Sequence, residues 1–119
     1  MANIMKKIIA ITMTIILIGF LYLLISNWEW IVGGYNSKLA QMDKDMREHV
    51  VKVHSIKESD IYRTEVFYIR KTGRYYGRLI FNDERGVYYL YVNRDGRIEQ
   101  SGIGSAEYNG DIDHPKHWE

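Results

Sequence analysis

Cysteine does not occur anywhere in the 119 residues. Its absence excludes a disulfide framework, a thiol nucleophile, a thiolate metal site and a lipobox-type lipid anchor. Excess charge of one sign is also lacking, since 16 Lys and Arg stand against 15 Asp and Glu. A nucleic-acid-binding domain needs a clustered basic face, so no nucleic-acid partner is expected. The chain contains no Gly-x-Ser-x-Gly, His-Glu-x-x-His or P-loop pattern, which removes the motif-borne routes to acyl transfer, zinc hydrolysis and nucleotide binding. The glycine-rich stretch "GIGSAEYNG" is followed by no apolar helix whose N-terminus could hold phosphate, and it reads as a loop. There is no internal repeat and no low-complexity segment.

What is present begins with an uninterrupted apolar run. Residues 8–25 carry no charge, and Thr12, Thr14 and Tyr22 are the only polar interruptions. Eighteen residues reach the minimum for crossing a hydrocarbon core, whereas the apolar region of a secretion signal is shorter and ends at a small-x-small cleavage site. Here the run leads into "SNWEWIVGGYN", with no Ala-x-Ala pattern. Two Trp residues flanking Glu29 suit the headgroup zone, where indole buries its ring and keeps its N–H wet. The stretch 8–32 therefore reads as a transmembrane helix with an aromatic collar. Lys6 and Lys7 precede the run and Lys38 follows only later, so the positive-inside bias leaves residues 1–7 in the cytoplasm. The remainder is expected outside it, on a single-pass membrane protein. A small outer domain without disulfides points to a bacterial envelope.

The outer part, residues 35–119, is long enough for one domain. Its 14 basic and 14 acidic residues balance. Gly33 and Gly34 open a hinge over 33–36, followed by an α+β domain over 37–101 and a tail over 102–119. Asn36 or Ser37 can cap a helix in which Leu39, Met42, Met46 and Val50 form one apolar stripe. The composition then turns β-branched and aromatic, predicting strands at 50–56, 61–70, 75–82 and 87–93 between the turn signals "KESD", "KTGR", "NDERG" and "NRDG". A short piece at 97–100 extends the last strand through a hairpin at Asp95 and Gly96.

Residues directly opposite in an antiparallel pair share a face. With a four-residue loop at 83–86, Asn82 pairs Val87, Phe81 meets Tyr88, Leu79 meets Leu90 and Gly77 meets Val92. That apolar face, extended by Thr64, Val66 and Tyr68, is expected to receive the helix stripe. The reverse then carries Tyr76, Arg78, Ile80, Tyr89, Tyr91 and Asn93, together with Ile61, Arg63, Glu65, Phe67 and Ile69. The expected architecture is thus one helix packed on a four-stranded antiparallel meander, an α+β arrangement. In topology it resembles small cystatin-type and PepSY-type modules, which lay one helix on such a sheet. The Gln-x-Val-x-Gly loop of cystatins does not occur, so the resemblance implies a fold and no activity.

Ligand chemistry is concentrated in the tail "NGDIDHPKHWE", which offers Asp111, Asp113, His114 and His117 within seven residues. Glu58 with Asp60, and Asp83 with Glu84, are paired acids in turns. The tail does not match an EF-hand, which needs a Gly and a terminal Glu at fixed spacing. No metal, cofactor or catalytic residue is assigned, and His49 and His54 read as ordinary residues of a helix end and a strand. Two functions follow from the residues. The first is a membrane-anchored binding module of the immunity, exclusion or accessory-subunit kind, docking a protein or envelope polymer on the sheet face of Tyr76, Arg78, Tyr89 and Tyr91. The second is a small metal-dependent hydrolase using the Asp/His tail. Missing catalytic constellations favour the first, and the chain is read as no enzyme.

Overall fold

The computed structural model describes residues 1–105 and 113–119. Two units are separate in it, Met1–Val32 and Gly33–Glu119. The first contains helix α1 (Ala2–Ser26) and the short helix α2 (Trp28–Val32). No residue of α1 is buried, and with a mean hydropathy of 2.8 this helix is long and apolar enough to cross a membrane. Thr12 and Thr14 donate their hydroxyls to the carbonyls of Ile8 and Ala10, each at 2.8 Å. Such back-bonding satisfies the side chains without water.

The second unit holds α3 (Asn36–His54), a 3-10 turn at Glu58–Asp60, and strands β1 (Ile61–Ile69), β2 (Arg74–Phe81), β3 (Glu84–Arg94) and β4 (Arg97–Ser105). The four strands pair antiparallel in the order β1-β2-β3-β4. α3 packs on one face through Met42, Met46 and Val50, all buried. A helix on a four-stranded meander is therefore the architecture, but its fourth strand is not the expected one. Residues 50–56 do not form a strand, because α3 continues through His54 before Ser55 turns it off in a left-handed conformation. Val50 extends the Met42 and Met46 stripe by one turn, and burying it there outweighs the strand preference of the β-branched residues beside it. The missing strand is supplied by β4, which runs five residues past its expected end.

The β2–β3 register also differs from expectation. The hairpin closes through only Asn82 and Asp83, so Phe81 pairs Glu84, and a bulge between Leu79 and Phe81 then shifts the ladder, so that Leu79 lies opposite Tyr89 and Gly77 opposite Tyr91, one residue from the expected pairing. A slip of one residue exchanges the faces of a strand. Tyr89 and Tyr91 consequently join Leu79, Phe81, Tyr75 and Val87 in the core, while Tyr88 and Leu90 move to the reverse face. Val92, opposite Tyr76, is fully buried on that reverse side. Ile61 is likewise a core residue, because a bulge between Ile61 and Arg63 re-aims it. Thr64, Val66 and Tyr68 lie opposite Leu79, Gly77 and Tyr75, on the face expected.

Two glycines show how closely backbone and side chain approach. A Cβ on Gly77 would sit 2.4 Å from the Met46 sulfur, so the bare backbone there is the seat of the helix. Gly34 has φ +98, and a Cβ on it would sit 2.7 Å from Cβ of Tyr68. Gly96 has φ +89 but open space around it. Gly96→Ala is expected to cost about 1 kcal/mol, the conformational penalty alone. Gly34→Ala should cost roughly 2 kcal/mol more, because overpacking is added to it. Thermal melting of the two variants checks this, and equal losses would show that the Tyr68 contact yields freely.

Candidate functional site

Four residues were expected together on the reverse face, and the structure divides them. Tyr76 and Arg78 lie there, on alternate positions of β2. Tyr89 and Tyr91 lie under α3, each 0% exposed, so neither ring presents a surface to a partner. The cause is the bulge between Leu79 and Phe81, since the two-residue turn continued without it would set Leu79 opposite Gly86 and Tyr88 on the core face. The apolar pattern favoured pairing Leu79 with Leu90, but residues 87–92 are apolar on both parities, so burial separates the two registers only weakly and the other one forms.

The reverse face is built instead around Arg78. Its guanidinium lies 4.9 Å from the ring of Phe67 and 5.4 Å from that of Tyr88, while Phe67 stacks on Tyr76 at 5.9 Å with the planes 11° apart. Tyr88 can lie flat across the sheet because its neighbour on β4 is Gly104, where a Cβ would meet the ring at 2.2 Å. Gly102 lies opposite Leu90, where a Cβ would make only ordinary contact, at 3.6 Å. Phe67 was expected on this face though not in the site, and Tyr88, expected under the helix, is the residue that sequence reasoning missed here. The signal lay in "GIG": if Ile103 faces the core opposite Tyr89, the flanking glycines must face Tyr88 and Leu90.

Cation–π contacts hold the Arg78 head while leaving its side chain 44% exposed. Glu65 is its ion-pair partner among the described residues, at 3.7 Å. Both groups are well exposed, and such a pair contributes little to stability. Beside them a shallow cleft of about 260 Å³ is lined by Arg63, Glu65, Arg78, Ile80, Tyr88 and Ser105. A planar guanidinium held by two rings suits bidentate recognition of a carboxylate or of peptide carbonyls.

The second cluster gathers the residues with ligand chemistry. His117 donates its backbone N–H to the Tyr89 hydroxyl at 3.0 Å, stacks its ring on Phe81 at 3.8 Å, and meets Asp83 at 2.8 Å. Tyr89 in turn donates to Glu84. Tyr91 donates to Glu119 at 2.6 Å and accepts from Gln100 at 3.2 Å. The Glu119 carboxylate also meets His49 at 2.7 Å and His54 at 3.2 Å. Residues 113–119 are therefore tied to the rim of the core through side-chain bonds. His117 is turned to Asp83, Asp113 and His114 are exposed, and Asp111 lies outside the described residues. Among the described residues, no group of three or more His, Asp or Glu is placed to hold a metal ion.

Burial, then the bond to an acid, pushes both core phenols well above the ordinary tyrosine range. For Glu119 burial acts upward, but the bonds from Tyr91, His49 and His54 outweigh it and hold the carboxyl below its usual range. A lowered folded pKa gives stability that is present above the unfolded value and lost as pH falls through the folded one. Raised phenol values act in the opposite direction, giving stability that is lost on strongly alkaline titration. Glu119→Gln is expected to lose about 2 kcal/mol at pH 7, a fall of roughly 10 °C in Tm. The difference from the parent should shrink below about pH 4, as the parent's own carboxylate protonates. Melting curves from acid to neutral pH measure it, and a gap independent of pH would show that Glu119 acts by packing alone.

Comparison with protein-family models, with curated proteins and with solved structures gives no match, so the reading of this face rests on its own geometry.

Proposed function

We propose that the chain is a single-pass, membrane-anchored interaction module whose outer domain docks a protein partner on the reverse face of its sheet, centred on Arg78 with Phe67, Tyr76 and Tyr88. The observation that carries this reading is the placement of Arg78. The core is complete on the other side of the sheet, yet aromatic rings on this side hold a half-exposed guanidinium that no buried partner requires. Arginine among Tyr and Phe is the composition enriched where proteins bind one another. The apolar α1, the Trp28 and Trp30 collar and the basic N-terminal flank support anchoring with the domain outside the cytoplasm. A bacterial envelope factor of the immunity, exclusion or accessory-subunit kind fits these features.

The test is capture of partners by the full chain from mild detergent, with Arg78→Glu and Tyr88→Ser beside the parent. Each substitution should weaken binding of the captured protein by at least about tenfold, the loss expected at an interface centre. Melting temperature should stay within a few degrees, because both side chains lie outside the core cluster. Undiminished binding by both variants would remove this face from the interface. Release of the parent chain from native membranes by an alkaline wash would remove the anchor.

A further inference from the structure

The antiparallel meander places two hairpin tips at one end of the domain, the turn between β1 and β2 and the turn between β3 and β4. It is also the end at which the chain enters. A Cβ on Gly33 would lie 3.1 Å from the Arg70 guanidinium, and one on Gly34 would touch Tyr68 and Tyr75. The Tyr35 N–H donates to the Tyr75 hydroxyl at 2.9 Å, and Lys38 lies over both of those rings.

Charge is strongly uneven about this geometry. Among the described residues, the entry end carries Lys38, Arg70, Lys71, Arg74, Arg94 and Arg97, against Asp95 and Glu99. Glu99 is itself shared by Arg94 at 3.0 Å and Arg97 at 3.8 Å. α3 begins here too, adding the positive end of its dipole. At the opposite end, Glu58, Asp60, Asp83 and Glu84 are matched by Lys52, Lys57, Arg85 and Lys116. The balanced net charge of the domain therefore conceals a polarity along its long axis. Arg94 and Arg97 are direct cross-strand partners, and the one carboxylate of Glu99 offsets only part of their like charge.

We propose that this entry end is an electrostatic seat for anionic phospholipid headgroups, holding the domain against the bilayer that α1 spans. The inference rests on the anchored reading given above. Covalent reach supports it, because only residues 27–32 separate the last residue of α1 from Gly33. Phosphate diesters match the tips chemically, as point acceptors for Lys71 and bidentate ones for arginine. Each basic residue at an anionic surface strengthens such contact by about fivefold, and the effect is screened by salt.

The absence of cysteine permits a single spin label on the full chain. Thr72→Cys marks the β1–β2 tip, and Ser59→Cys marks the opposite end, each in nanodiscs of phosphatidylcholine with or without phosphatidylglycerol. With phosphatidylglycerol the Thr72 label should lose accessibility to a water-soluble nickel chelate, and high salt or the pair Lys71→Glu and Arg97→Glu should restore it. The Ser59 label should be equally accessible in both discs. A Thr72 label indifferent to lipid charge, on chain that co-elutes with the discs, would overturn the seat and leave the anchor standing. Protection of both labels would also overturn it, since the domain would then lie on its side. Chain that fails to enter the discs would instead remove the anchored reading.

Discussion

A buried phenol hydroxyl must be bonded, and two of them govern the outer domain. Tyr89 and Tyr91 are both fully enclosed beneath α3, where an unpaired hydroxyl costs about 1 to 3 kcal/mol. Each oxygen is therefore given both a donor and an acceptor. The backbone of His117 and the carboxylate of Glu84 serve Tyr89, while Gln100 and Glu119 serve Tyr91. Fulfilling that requirement fixes residues 113–119 at the rim, brings His49 and His54 to a shared carboxylate, and sets the register that clears the opposite face for Arg78.

The same requirement explains why β2 and β3 choose one of two apolar pairings. The two-residue turn sets Glu84 opposite Phe81, and the bulge between Leu79 and Phe81 sets Tyr89 opposite Leu79, where its hydroxyl donates to Glu84. Gly77 faces the helix in the same register and admits Met46 to the sheet backbone. Polar satisfaction and close packing agree on one arrangement, the condition under which a sequence specifies a single fold. On the other side of the sheet, Gly104 leaves room for Tyr88. There Tyr88 and Phe67 make a support for arginine, and α3 packs on the opposite face.

Charge follows topology in this domain more than it follows sequence order. The basic residues of "RKTGR" and "RDGR" are about 20 positions apart in the chain, yet two antiparallel returns bring both tips to the end where the chain enters. A charge total taken along the sequence gives zero for the domain and conceals that separation. The proposed partner face and the proposed lipid seat thus use different surfaces. One depends on aromatic support for a single arginine, and the other on several cations sharing an end.

Local patterns determined the apolar span, the helix stripe of Leu39, Met42, Met46 and Val50, and the meander of hairpins, because each depends on periodicity and turn residues within a few positions. The face of β1 carrying Thr64, Val66 and Tyr68 was legible for the same reason, since a strand alternates with a fixed period. Tertiary structure alone decided the rest. Helix α3 absorbed residues 50–54 because Val50 is buried only if the helix continues, a gain that propensity does not contain. Tyr89 and Tyr91 went inward and Tyr88 outward because the run 87–92 is apolar on both parities, and the tie was broken by hydroxyl partners as far away as residue 119. Tyr76, Arg78 and Phe67 were legible as residues of one face, whereas Tyr88 was joined to them only by the register that the strands adopt. Register is a relation between segments, and a single strand's alternation cannot carry it when both of its faces are apolar.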